Sequence, residues 1–353
     1  MRGRVVEFWM ALRSMSCSSI TSLSFQMRNP SHLWIALAAL VMVVIAVRCG
    51  SAKGPAFTSP EEAGVDYQIQ GEYRGRVKTE ERDQVWGVQV VALGDGKFDL
   101  VGFAGGLPGD GWEREGQKMS YSSELKDEKA VFQTDEGTIE ILGGQLHFID
   151  QSGKTTLEKV ERKSTTLGMK APEGAIVLFD GSSLDHWENA QLVDGQWLGA
   201  TNASTKRKWG DHSLHIEFRT PFMPQARGQQ RGNSGAYIQG RYELQVLDSF
   251  GLEGKNNECG GIYTISEPIV NMCLPPLTWQ TYDIDFVAAR YEGDQKVQNA
   301  RVTVKHNGVL IHDDLELPKG TPGYRAEGPE KESLFLQNHG DPVVFRNIWI
   351  VEK

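Results

Sequence analysis

The stretch Ser213–Arg219, with the sequence SLHIEFR, decides how the second half of this chain folds. Its apolar residues Leu214, Ile216 and Phe218 alternate with polar ones. Successive side chains of a strand point to opposite faces, so the apolar set shares one face and the polar set the other. The alternation therefore predicts a β-strand with one face in a core and one toward solvent.

The same alternation recurs in the runs that follow, over Tyr242–Leu247, Thr281–Phe286 and Ala300–Val304. The turn Asn307-Gly308 then leads into Val309–His312, which is a strong hairpin signal. No helix-period segment of ten residues occurs in this half of the chain. Residues 174–353 are therefore expected to form a sandwich of two antiparallel sheets.

Short alternating runs between glycine turns also fill residues 67–165, for example around Gly94-Asp95-Gly96 and Gly143-Gly144. They predict a smaller antiparallel β domain, in which the sequence shows no acid, base or metal cluster. The polar stretch 53–66 is predicted to be a linker. The chain as a whole is predicted to be all-β.

Charge is unevenly distributed along the 353 residues, whose net charge is −9. Residues 1–52 hold five arginines and one acid, which leaves −13 for the remainder. A body this acidic disfavours nucleic acid as a partner, because phosphates need a basic face.

Residues 33–47 (LWIALAALVMVVIAV) form an uncharged run of 15 apolar residues. This is shorter than the roughly 20 residues that span a bilayer, and small residues follow at Gly50–Ala52. We expect residues 1–52 to be a signal peptide or leader and the protein to be exported, periplasmic or extracellular. The alternative is an uncleaved membrane anchor over 33–47, which would be the chain's one contact with a membrane.

Two cysteines, Cys259 and Cys273, remain after removal of the leader. An oxidising compartment would permit a disulfide between them, and two buried free thiols are the alternative.

The densest group of chemically capable residues lies in one predicted hairpin. Glu243 and Gln245 are two apart and share a strand face, and Asp248 joins them only if a bulge intervenes. Together with Asn233 and Arg241 they could hold sugar hydroxyls and supply acid/base catalysis. The alternative is a solvated strand face with an Arg–Glu cross-strand pair.

A second candidate lies near the C-terminus, where His339 follows a predicted strand and Arg346 comes soon after. His339 could act as a general base, or as a capping hydrogen bonder of the turn. His212 and His215 fall on opposite faces of one strand, so a metal site is not supported. Trp279 and Tyr282 could stack on a sugar ring, although packing is the default role of such aromatics.

An ordered series of motifs resembles the 3-keto-disaccharide hydrolase family over about residues 174–353. The motifs are LFDGSSL (178–184), SLHIEFR (213–219), NSG (233–235), GRYELQVLDSFG (240–251), CGGIY (259–263), WQTY (279–282) and LQNHGDPVVFRNIWI (336–350). The resemblance implies a concanavalin A-like jelly roll and cleavage of glycosides already oxidised to a ketone at C3. It implies no redox cofactor, because a separate sugar 3-dehydrogenase makes the ketone, and the sequence does not support a structural calcium.

Such a reaction removes the C2 proton, expels the C1 substituent and adds water to the resulting enone. We assign Glu243 and His339 as the proton-transfer pair and Arg241 and Arg346 as clamps for the enolate and hydroxyls. Substrate binding is assigned to Asn233, Gln245, Asp248, Trp279 and Tyr282. Two alternatives remain open: a non-catalytic glycan-binding module, and a conventional retaining glycosidase that uses Glu243 and Asp248.

Overall fold

The computed structural model describes residues 53–78 and 83–353, so the predicted leader and its apolar run 33–47 lie outside the described residues. Two β structures follow one another along the chain, a closed barrel and then a two-sheet sandwich. Both belong to one compact unit, Lys53–Lys353. No helix in the described ranges is long and apolar enough to cross a membrane.

The segment predicted as a linker packs against both structures. Phe57 pairs with Phe222 of the sandwich half through two backbone hydrogen bonds of 2.9 Å. A 3-10 turn, Pro60–Glu62, and the short helix α1, Gly64–Ile69, follow it and lead into the first barrel strand. Ala63 and Ile69 are buried in the barrel core, so this segment covers one end of the barrel.

The barrel contains eight antiparallel strands in the closed order β1-β10-β9-β8-β7-β6-β3-β2. Each strand pairs with its sequence neighbour in the barrel, and β1 pairs with β10 to close the ring, which leaves no free sheet edge. The short β4 and β5 pair with each other outside the ring. The bounds are β1 (Gly71–Lys78), β2 (Asp83–Gly94), β3 (Lys97–Ala104), β4 (Leu107–Pro108), β5 (Gly111–Trp112), β6 (Lys118–Lys126), β7 (Lys129–Gln133), β8 (Thr138–Leu142), β9 (Gln145–Asp150) and β10 (Gly153–Val160).

The strands of the second half run from β11 to β25, and β20 and β21 pair with each other outside the two sheets of the sandwich. Their bounds are β11 (Ile176–Phe179), β12 (Trp187–Glu188), β13 (Leu192–Val193), β14 (Trp197–Gly199), β15 (Ala203–Thr205), β16 (His212–Arg219), β17 (Ser234–Ile238), β18 (Tyr242–Val246), β19 (Gln280–Val287), β20 (Arg290–Glu292), β21 (Gln295–Gln298), β22 (Ala300–His306), β23 (Val309–Leu317), β24 (Phe335–Leu336) and β25 (Val344–Glu352). A second 3-10 turn, Gly228–Gln230, lies between β16 and β17.

Two antiparallel sheets form the sandwich. The large sheet has the order β13-β14-β25-β16-β19-β22-β23, with β11 also paired to β25, and the small sheet has the order β12-β15-β24-β17-β18. Their inner faces share one apolar core, which includes Leu214, Ile216 and Phe218 of the large sheet and Leu244 and Val246 of the small one. The predicted all-β chain with a C-terminal sandwich of jelly-roll type is confirmed.

Candidate functional site

The outer face of the small sheet carries Glu243 and Gln245, because Tyr242, Leu244 and Val246 of β18 are in the core. On the neighbouring strand β17, Tyr237 is the register partner of Glu243 and Gly235 is that of Gln245. The shared face that the sequence predicted for Glu243 and Gln245 is thus also the face of Tyr237.

Glu243 is only 4% exposed, and no arginine, lysine or histidine side chain among the described residues forms an ion pair with it. Burial raises the pKa of its carboxyl to about 7, although a hydrogen bond with Tyr237 acts in the opposite direction. A carboxyl with a pKa near the working pH can both take up and release a proton. These properties fit a general acid/base.

The Glu243 carboxylate lies directly on the backbone of Gly235. A Cβ atom built on Gly235 would come within 2.4 Å of Glu243 Oε1, a separation that real Cβ atoms do not adopt. Glycine at position 235 therefore leaves room for the Glu243 carboxylate. This contact is a physical reason for the glycine of the NSG motif.

Gln245 is a neutral neighbour of the carboxylate. In the amide orientation that satisfies both of its polar atoms, its nitrogen donates to Glu243 Oε1 over 3.0 Å and to the Ser234 carbonyl over 3.1 Å. A neutral amide here adds no second negative charge beside Glu243, so Gln245 positions the carboxylate without further raising its pKa.

Three aromatic rings extend the face beside Glu243. Phe335 of β24 lies edge-on to Tyr237 with ring centroids 5.5 Å apart, and Tyr324 stacks on Phe335 at 4.0 Å. Tyr324 is 38% exposed, so it offers a ring at the surface of the site. Gln337 donates to the Tyr237 hydroxyl over 3.2 Å. Burial raises the pKa of Tyr237, which therefore stays protonated at neutral pH.

These additional residues were not singled out by sequence reasoning. Tyr237 could have been identified, because a hairpin with the three-residue loop Gln239–Arg241 places it opposite Glu243. Phe335 and Gln337 flank Leu336 at alternating positions, which also follows from the pattern. Tyr324 lies in a loop, where alternation carries no information.

Asn233 and His339 lie at one end of the same sheet. The Asn233 amide nitrogen donates to the Gln229 carbonyl over 2.8 Å, and its Oδ1 atom is buried without a partner in the described structure. Asp341, from the turn that contains His339, accepts from the Asn233 backbone N–H over 2.8 Å. His339 itself is exposed, and its proton-transfer role stays a prediction.

Arg241 lies at the edge of the small sheet, where its guanidinium is bound to a loop. Its Nε atom donates to the Ala326 carbonyl over 3.0 Å, and Thr321 of the same loop donates its N–H to the Arg241 carbonyl over 2.8 Å. Thr321 Oγ1 also accepts the Glu243 N–H. Arg241 thus fastens the loop that carries Tyr324, and the structure does not bring its charge to Glu243.

The predicted place of Asp248 in the site is wrong. Asp248 is buried, and its carboxylate accepts from Arg231 Nε over 2.7 Å. Arg231 also donates to the Ala92 carbonyl of the barrel over 3.0 Å, so the pair joins the barrel to the sandwich. No bulge turns Asp248 onto the face of Glu243, because β18 ends at Val246.

The predicted place of Arg346 and Trp279 is also wrong, because both lie on the outer face of the large sheet. Arg346 Nε donates to Glu217 over 2.7 Å, and its guanidinium stacks on the Trp279 ring at 4.0 Å. Glu217 faces outward from β16, since Ile216 and Phe218 fill the core. The sandwich core therefore separates these residues from Glu243.

Tyr282 is fully buried in the core, so the prediction that it contacts a sugar is wrong and the packing alternative is correct. Its hydroxyl donates to the Gln245 carbonyl over 2.7 Å. Cys259 and Cys273 are free buried thiols, so the structure shows the second of the two alternatives for them and no disulfide. Within the described ranges, no group of three or more His, Cys, Asp or Glu side chains is arranged to hold a metal ion.

Comparison with known proteins shows which family the sandwich resembles. The model of the 3-keto-alpha-glucoside-1,2-lyase-like domain matches residues 174–351, the whole sandwich. Among curated proteins, none matches the chain.

Two crystal structures from Parabacteroides distasonis ATCC 8503, both provisionally named glycosyl hydrolases, are similar to this chain. The first is 33% identical, with a TM-score of 0.47, and the match covers 52% of this chain and 85% of that one. The second is 18% identical, with a TM-score of 0.38, and the match covers 51% of this chain and 95% of that one. On the family match over 174–351, this chain belongs to the 3-keto-alpha-glucoside-1,2-lyase-like domain family, whose function is of the glycoside hydrolase type.

Proposed function

We propose that this protein cleaves 3-keto-glycosides, with Glu243 as the residue that moves the proton at C2. The observation that carries the proposal is the state of Glu243: a buried carboxyl without a cationic partner, whose pKa burial raises to about 7. Such a group is a poor structural ion and a good acid/base at neutral pH.

The C3 ketone of the substrate makes this chemistry accessible to a single carboxylate. Glu243 takes the C2 proton, and the electron pair forms an enolate on the C3 oxygen. The enolate collapses to a C1=C2 double bond as the C1–O bond breaks, and the leaving alcohol takes a proton from the second member of the proton-transfer pair, the role assigned to His339. Water then adds its hydroxyl to C1 and gives its other proton back to that group, and the proton on Glu243 returns to C2, so the net reaction is hydrolysis.

Two oxygens of the substrate become negative in these steps, the C3 oxygen of the enolate and the C1 oxygen of the leaving alcohol. Protonated hydrogen-bond donors beside Glu243 suit both. Tyr237 remains a phenol at neutral pH, because burial raises its pKa, and it is the register partner of Glu243 on the neighbouring strand. Hydrogen-bond donors that are fixed before the reaction stabilise a developing enolate without reorganisation. We assign this role to Tyr237, with Gln337 orienting its hydroxyl.

The arrangement favours this reaction over a retaining glycosidase. A retaining enzyme needs two carboxyl groups about 5–5.5 Å apart, one as nucleophile and one as acid/base. Asp248, the second carboxyl assigned to that role, is held by Arg231 at 2.7 Å. A separate dehydrogenase that oxidises the C3 hydroxyl must supply the substrate, because the proposed steps contain no oxidation.

Incubation of the protein with a 3-keto-glucoside and with its unoxidised parent tests the proposal. We expect turnover of the keto sugar alone. Turnover of the parent at a similar rate would support a conventional glycosidase, and binding of either sugar without turnover would support a glycan-binding module. Both results would contradict the proposal.

A further inference from the structure

The barrel contains an apolar cavity of about 240 Å³ that the sugar chemistry does not use. Its walls include Trp86, Leu100, Met119, Leu146 and Phe148, which come from four different strands and face the barrel axis. A closed eight-stranded barrel is just wide enough to be filled by side chains or to hold one small ligand. We propose that this barrel binds a small, uncharged, largely apolar molecule.

The two ends of the barrel differ, and the difference shows where a ligand would enter. At one end, Ile69 of α1 and Phe222 from the sandwich half join the barrel core. The Gln70 side chain also accepts the Ala92 N–H there, over 2.9 Å, which ties this end to the chain entering β1. The cavity lies toward the opposite end, where the turn Thr134–Glu136 between β7 and β8 lines it.

The volume of the cavity limits the size of the ligand. An apolar cavity of roughly 150 Å³ stays dry and binds benzene, so a volume of about 240 Å³ suits one to two aromatic rings or a short hydrocarbon chain. Burying such a molecule gains about 25 cal/mol for each Å² of apolar surface removed from water.

The charged side chains around the cavity limit the charge that the ligand can carry. The charged side chains that line the cavity, among the described residues, are Asp135 and Glu136, and both are exposed at its mouth. They disfavour an anionic head group by like-charge repulsion. The interior walls provide no cation to pair with one. The ligand is therefore uncharged rather than a carboxylic acid.

Binding of the neutral two-ring fluorophore 1-aminonaphthalene tests the cavity, with a matched pair of variants on β9. Phe148 faces the cavity and its neighbour Ile149 faces solvent, so Phe148→Lys and Ile149→Lys make comparable changes on opposite faces. We expect the wild type and I149K to enhance the fluorescence saturably, and F148K to bind at least about tenfold more weakly. A wild type that does not bind, or F148K that binds as I149K does, would overturn the proposal.

If F148K fails to fold, an NMR experiment on the wild-type protein still tests whether the cavity binds a ligand. The Met119 methyl group lines the cavity, whereas Met169 lies on the large sheet of the sandwich, where its carbonyl accepts from Asn347. With methyl-labelled methionine, 2-naphthol should shift the Met119 signal and leave that of Met169 unchanged. An unchanged Met119 signal at saturating 2-naphthol would overturn the proposal.

A pair of ligands that differ in charge tests the cavity's preference for an uncharged molecule. 2-Naphthol and 2-naphthoate have the same ring system and differ in charge. We expect 2-naphthoate to displace 1-aminonaphthalene at least about tenfold more weakly than 2-naphthol. Equal displacement would overturn the assignment of an uncharged ligand.

Discussion

Two buried glutamates, Glu243 and Glu217, lie on opposite outer faces of the same sandwich and have opposite acidities. Glu217 is fully buried and Glu243 is 4% exposed. Burial alone raises the pKa of both groups. In Glu217, hydrogen bonds from His215, Asn347, Arg346 and the Gly168 N–H outweigh it and lower the pKa to about 2. In Glu243, burial outweighs the opposing hydrogen bond with Tyr237, no cation is paired with the carboxylate, and the pKa is about 7.

The partners of a buried carboxylate, more than its depth, therefore determine whether it is ionised. Glu217 accepts from Arg346 over 2.7 Å and from Asn347 over 2.9 Å, so its charge is compensated and serves the fold. Glu243 has neutral neighbours, so its charge is costly and its proton is available.

The largest effect is expected from Glu243→Gln. The amide keeps the shape of the side chain but cannot take a proton, so kcat on a 3-keto-glucoside should fall by about a thousandfold. Glu217→Gln is the matched control and should retain kcat within about threefold. Steady-state kinetics at pH 7, with circular dichroism to verify folding, makes the comparison. Near wild-type turnover by E243Q would remove Glu243 from the chemistry.

For the free energy of unfolding we expect the larger effect at Glu217, the residue whose substitution should leave activity nearly unchanged. Glu217→Gln leaves Arg346 without its carboxylate partner, and we expect a loss of about 3 kcal/mol in the free energy of unfolding near pH 7. Because the pKa of Glu217 lies well below its ordinary value of 4.5, its stabilisation is present above pH 4.5 and disappears as the pH falls toward 2. Urea denaturation should therefore show the wild type and E217Q converging in acid. An unchanged midpoint at pH 7 would count against the role given to this pair.

Gly235→Ala displaces the Glu243 carboxylate without changing any ionisable group. The added Cβ would lie 2.4 Å from Oε1, so the carboxylate must move, and a displacement of about 1 Å can cost about a hundredfold in rate. Gly328→Ala is the control, because its Cβ would meet only Arg241 Nη2, at 3.5 Å. Measured kcat/KM values that are equal in the two variants would show that the close contact at Gly235 is irrelevant.

The smallest effect concerns the aromatic rings of the two faces. Tyr324→Ala removes the exposed ring near Glu243 and should raise KM about fivefold, the equivalent of about 1 kcal/mol of ring contact, with little change in kcat. Trp279→Ala, on the face of Glu217, should leave KM unchanged. A larger increase in KM for W279A than for Y324A would place the substrate on the large sheet.

The fold was predictable because alternation determines both the strand and its buried face. SLHIEFR became β16, and Asn307-Gly308 joins β22 to β23. Barrel closure was not predictable, because the pairing of β1 with β10 joins segments that are far apart in the sequence.

The site was predictable only where its residues share a hairpin. Glu243 and Gln245 were placed together correctly, and the same reasoning would have added Tyr237. Arg346 and Trp279 were misplaced because alternation gives a residue's face within its own sheet but not which sheet the strand joins. Asp248 was misassigned because its partner, Arg231, lies 17 residues earlier in the chain and spacing cannot show that the two pair.

A direct titration of Glu243 and Glu217 measures their two acidities separately. Carbon-13 NMR of the labelled side-chain carboxyl groups, with the E243Q and E217Q variants to assign the signals, follows each ionisation between pH 2 and pH 9. We predict that Glu243 titrates near pH 7 and that Glu217 stays ionised down to about pH 2. A Glu243 signal that titrates near the ordinary value of 4.5 would contradict it.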